Sequence, residues 1–161
     1  MAVKKVSSVV SGILIEGSIE FIDATNAALT LIQNTPSFRD VKPYLAIIKE
    51  APTSEMNVFS SQPTFSVGRP TWSAGAIWYG SSIIHDACHS KLYRQHRRRI
   101  LCFSFTPLHY WTLKSGERSC IRVQLQALRE MDCDTTCYQI FLQDYLIDPT
   151  YFDIPYNKRN W

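Results

Sequence analysis

Two histidines stand one helical turn apart in the segment Ile83-Ile84-His85-Asp86-Ala87-Cys88-His89. On a helix, positions i and i+4 share a face with Cβ atoms about 6 Å apart, so two imidazoles can converge on one ion. Zinc is the expected occupant, since it takes histidine nitrogen at about 2.0–2.1 Å. Asp86 directly follows the first of the pair, the place of the glutamate in a His-Glu-x-x-His motif. A carboxylate there can accept a proton from a water whose pKa zinc has lowered toward ~7. The same spacing also arises on ordinary surface helices. Here the flanks Ile83, Ile84, Ala87 and Cys88 are apolar, which predicts a buried helix, and a buried imidazole needs a partner.

A catalytic zinc site ordinarily has three protein ligands and an open position. His96 lies seven residues beyond His89. On a continuing helix that is about 10 Å further along the axis, too far to share the ion, and the offset also misses the glycine-turn histidine of metzincins. Glu117 opens a strongly helical segment 28 residues downstream of His89, with Cys120 and Gln124 on its face. It is the better-placed third ligand, although a glutamate in a first helical turn also arises simply to complement the helix dipole. His109 could arrive through a loop, and a site without a third protein ligand is the remaining alternative. Tyr110 and Tyr93 are candidate donors to a developing oxyanion, with no spacing rule behind either.

The elements that must position these groups follow from periodicity and punctuation. Residues 12–22 mix β-branched and alternating polar residues, which predicts a strand or a hairpin around Gly17-Ser18. Asp23 is the expected N-cap of a helix over 24–33, ended by Asn34-Thr35-Pro36. Ser37 is the expected cap of a second helix holding Val41, Leu45 and Ile48, regular only from Pro43. Residues 52–63 are rich in Pro, Ser, Thr and Asn and predict a loop. A strand is expected at Thr64-Phe65-Ser66-Val67, then helices over about 73–95, 117–131 and 135–146. The tail 148–161, with two prolines and four aromatics, is expected to wrap the body. The order predicts a helix-dominated α+β fold in a single domain spanning 1–161, with a metal-binding core at about 64–131.

Composition narrows the function classes. A chain of 161 residues with 45% hydrophobic residues buries enough surface to fold without disulfides. Its cysteines, Cys88, Cys102, Cys120, Cys133 and Cys137, are odd in number and form no CxxC pair. That argues against a secreted disulfide framework and against a zinc finger, and favours small buried hydrophobes in a cytoplasmic, monomeric domain. A secreted form is the alternative, since Lys4-Lys5 precede the short apolar stretch 9–15, which otherwise predicts a strand. No apolar run approaches transmembrane length. Seventeen basic residues against fourteen acidic ones give +3, too mild to mark a dedicated nucleic-acid binder. The tract Arg94-Gln95-His96-Arg97-Arg98-Arg99 is the competing feature, a phosphate-binding patch or a solvated helix end whose cations complement the dipole. A His-Asp phosphohydrolase would need a histidine upstream of residue 85, and there is none. Cys88 points about 100° away from His89 on a helix, which argues against a thiol nucleophile.

Taken together, Ser73 to Tyr93 with its His-Asp-x-x-His and Glu117 to Gln124 downstream resemble the gluzincin type of zinc metallopeptidase over roughly 64–131. The resemblance implies an active-site helix bearing His85 and His89, a glutamate helix bearing Glu117, a short sheet, Zn2+ as cofactor and Asp86 as general base. It also implies that strand 64–67 lines the cleft and pairs with an extended peptide or protein substrate. Asp86 departs from the usual glutamate by one methylene, so the resemblance supports metal binding more firmly than turnover.

Overall fold

A computed structural model of the chain describes residues 6–101, 113–132 and 136–147. Within them the order is β1 (Val6–Val10), β2 (Ile13–Gly17), α1 (Ile19–Ile32), α2 (Pro36–Val41), a 3-10 turn (Lys42–Tyr44), β3 (Ile47–Glu50), β4 (Glu55–Asn57), β5 (Thr64–Val67), α3 (Arg69–Trp72), α4 (Ala76–Leu101), α5 (Leu113–Glu130) and α6 (Thr136–Ile147). The fold is helix-dominated α+β with a five-stranded mixed sheet, ordered β1-β2-β3-β5-β4. No helix among the described residues is long and apolar enough to cross a membrane. The tail 148–161, His109 and Tyr110 lie outside the described residues.

The first strands meet in a hairpin whose turn is Ser11-Gly12, both with positive φ (54° and 78°). Two successive left-handed residues match the strand twist, and glycine meets that need at the second position. The turn therefore falls at 11–12, not at Gly17-Ser18. Ser18 is instead the N-cap of α1: its hydroxyl accepts from the Phe21 N–H at 3.2 Å, and Glu50 accepts the Ser18 N–H at 2.8 Å. The N-cap thus falls at Ser18, five residues before Asp23, because a cap and a carboxylate from β3 satisfy the first donors of the helix. Thr35, not Ser37, caps α2.

The expected second helix is cut short. Pro43 sits in the 3-10 turn, and Ile47–Glu50 become β3, parallel to β2 on one side and to β5 on the other. Ile15, Ile48 and Phe65 stand opposite one another across these three strands, each fully buried. This row makes strands of residues whose local pattern is ambiguous: tertiary pairing overrides it. Residues 55–57, expected as loop, form edge strand β4 against β5. Strand β5 is therefore flanked on both sides and cannot receive a peptide. Among the described residues the outer edge of β4 is the one on that flank of the sheet.

Helix α4 runs through the centre, packed against α1, α2, α3, α5 and strands β4 and β5. Every residue from Trp78 to Cys88 is buried, the mark of a helix enclosed on all sides. At Gly80 the α1 backbone comes close: a Cβ there would sit 2.7 Å from the Ile32 side chain and 3.4 Å from the Ala28 carbonyl. One residue earlier, the Tyr79 hydroxyl and Thr25 hydroxyl share a buried 2.9 Å hydrogen bond. Lys91 pairs with Asp40 of α2, and Glu130 at the end of α5 accepts the Ser37 N–H at 2.9 Å.

Candidate metal centre

Helix α5 buries the stripe Glu117, Cys120, Ile121, Gln124, Leu125 and Leu128. This 3.6-residue pattern lays it against α4 and carries Glu117 to the histidine pair. Two of the stripe's members are polar, and a polar residue on a core-facing stripe is the sequence signal for a site. Cys120 packs on α4 as well, within hydrogen-bonding reach of Cys88. Both thiols are buried, as expected, whereas Cys137 is exposed and Cys102 and Cys133 lie outside the described residues.

The three expected ligands meet. The Nε2 atoms of His85 and His89 are 3.2 Å apart, and Glu117 Oε2 lies 3.5 Å from the first and 3.6 Å from the second. An ion held tetrahedrally at 2.0–2.1 Å places its ligands about 3.3–3.4 Å from one another. The three separations bracket that edge length, so one ion fits between these atoms with little movement. The donor set of two imidazoles and a carboxylate suits zinc and other divalent first-row metals. The side chains of His85, His89 and Glu117 are 5%, 11% and 7% exposed, so the site meets solvent mainly beside His89. His96 is buried further along α4 and outside the cluster.

The electrostatics are those of a cation site. Burial works against charge on His89, but the hydrogen bond and charge of Glu117, with Asp86 and Cys88, outweigh it and push the imidazolium pKa up to about 9. Burial likewise opposes the Glu117 carboxylate, yet the two histidines hold it well below the usual carboxylate range. Glu117 thus demands positive charge beside it, and a proton on His89 and a metal ion are alternative ways of supplying it.

Asp86 is buried and lines a narrow pocket with His85, Ser82, Gln124, Thr71 and Ser54. The pocket has room for roughly one water molecule. Ser82 and Gln124 come from α4 and α5, at helical offsets from ligands. Ser54 and Thr71 come from the segment before β4 and from α3, and nothing local in the sequence marks them. Tyr93 is half-buried one turn beyond His89, its ring edge-on to Phe59 with centroids 5.2 Å apart, outside the Asp86 pocket. In the basic tract, Arg94 is committed to the carbonyls of Ser60 and Ser61, both at 3.2 Å.

Fold and site together define a helix-dominated α+β protein with a buried two-histidine, one-glutamate group able to hold a metal ion. No family model, curated protein or solved structure matches the chain, so the reading of its function rests on the geometry above.

Proposed function

We propose that this chain is a zinc-binding protein of the gluzincin kind that hydrolyses peptide bonds, with His85, His89 and Glu117 as ligands and Asp86 as general base. The observation that carries it is the convergence of three donor atoms at 3.2–3.6 Å, with the residue after the first ligand in a shared pocket. A zinc ion there supplies a Lewis acid for the scissile carbonyl and lowers the pKa of a water. Asp86 accepts the proton that water gives up as its oxygen bonds to the carbonyl carbon, then returns it to the amine as the C–N bond breaks. Glu117 and the histidines hold the charge in place, and the outer edge of β4, beside Ser54, offers backbone groups to an extended peptide.

A second reading has its own observation. Asp86 is 5% exposed and its pocket admits little more than a water, which suits a metal-binding protein without turnover. Digestion of a broad peptide library by the zinc-loaded wild type, Asp86→Ala and Asp86→Glu separates the two. Chelator-sensitive cleavage abolished by Asp86→Ala supports the peptidase. Full zinc occupancy with no cleavage by any form removes it and leaves the metal-binding protein.

A further inference from the structure

A carboxylate withdrawn from water must be met by hydrogen-bond donors, or it gives up its charge. Asp86 is such a group, and the walls of its pocket show where a donor comes from. The Ser82 hydroxyl is spent on the Trp78 carbonyl at 2.9 Å. Gln124 sends an amide hydrogen to Ser81 at 3.0 Å. Ser54 and Thr71 form a hydroxyl pair 2.7 Å apart, and Ser54 Oγ also accepts the Gly68 N–H at 3.0 Å. Two hydroxyls carry two hydrogens and use one between them. One hydrogen remains, and the Asp86 carboxylate is the anionic acceptor in the pocket that both hydroxyls line.

The backbone bears on which member faces the carboxylate. Ser54 is half-buried and accepts from Gly68, and its own hydrogen can then go to Thr71. Thr71, at 2% exposed, is the more deeply buried of the two. Gly68 holds the two segments together: a Cβ on it would lie 3.1 Å from the Pro52 carbonyl and 3.2 Å from Thr53 Cα. The chain before β4 is thus pressed backbone to backbone against the start of α3.

We propose that Thr71 is a positioning residue for Asp86, the last member of a relay running from the Gly68 N–H through the Ser54 and Thr71 hydroxyls to the carboxylate. The relay rests on the reading of Asp86 as base. It fixes one carboxylate oxygen and leaves the other to face the water to be deprotonated. An aspartate at this place is a methylene shorter than a glutamate, so its aim depends more on such a contact.

The test has two arms. In chelator-stripped protein, Thr71→Val and Asp86→Ala are combined in a double-mutant cycle on unfolding. The expected result is coupling of at least fivefold in the unfolding constant, kept by Thr71→Ser, which retains the hydroxyl. Costs that multiply to within twofold overturn the relay. Should Thr71→Val not fold, Ser54→Ala takes its place in the cycle, with coupling of at least threefold expected and independence again overturning the relay. In the second arm, zinc-loaded Thr71→Val loses tenfold or more in kcat on a cleaved peptide, with KM and zinc affinity within twofold of wild type, and Thr71→Ser restores the rate. An inert wild type with the coupling intact overturns the base, not the relay. An active wild type with independent costs overturns the relay, not the base.

Discussion

Glu117 organises the site at the scale of single residues, because its charge helps His89 to hold a proton. His89 binds its proton more tightly in the folded chain, with a pKa of about 9 against an ordinary 6.5. That contribution to stability is complete below about pH 6.5 and disappears as pH rises through 9. Glu117 is shifted the other way, so its contribution is present above its ordinary range, near 4.5, and is lost on acidification. Chelator-stripped protein is therefore most stable between about pH 5 and 6.5, and its denaturant midpoint falls between pH 6.5 and 9. Glu117→Gln removes most of that fall, and a midpoint that stays level in the wild type contradicts the charge assignment. Zinc competes with the same proton, so its affinity rises over the same interval. Glu117→Ala weakens zinc binding by roughly tenfold or more while His109→Ala leaves it nearly unchanged, as competition with a chromophoric chelator measures. The reverse ranking would hand the third ligand's role to His109.

Among the elements, α4 sets the tolerances. Glycine to alanine inside a helix ordinarily stabilises by about 0.5–1 kcal/mol. At Gly80 the sign reverses, since the new methyl meets fully buried Ile32 at 2.7 Å. Gly80→Ala is expected to cost about 1–3 kcal/mol in thermal or chemical denaturation, and an unchanged or raised midpoint would show that α1 and α4 have room to part. How far such elements were legible depended on where their reasons lie. Helices α4 and α5 announce themselves through long periodic patterns, and with them came the histidine pair and Glu117. Glu117 was legible as a carboxylate on a helix able to lie against the histidine helix, with Cys120 and Gln124 on its face. Strand β3 was not legible, because Ile47–Glu50 is four residues long and gains its identity from Ile15 and Phe65 on either side. The start of α1 was missed for a similar reason: Glu50, 32 residues away, shares the capping with Ser18. Ser54 and Thr71 lie beyond sequence reasoning altogether, since only the approach of two segments at Gly68 makes them neighbours of Asp86.

At the scale of the whole molecule, a metal ion held by the candidate group would tie α4 to α5, with two donors from one helix and one from the other. An ion bound there stabilises the native state by an amount set by its concentration over its dissociation constant. Purified without chelator, the protein is expected to hold about one zinc per chain by elemental analysis, with a midpoint that falls on chelation and returns on titration. A folded sample that is metal-free and takes up no zinc removes the central claim. The sheet has a different consequence, one of timing. Strand β4 precedes β5 in the chain but lies outside it, so β4 has no neighbour to pair with until β5 exists. Adding β4 first would leave a strand-wide gap of about 4.8 Å beside β3. Strand β4 can therefore join the sheet only through β5, either in a β4–β5 hairpin or after β5 has paired with β3. The polar pocket thus depends on this flank of the sheet, since Ser54 directly precedes β4 and Thr71 follows β5.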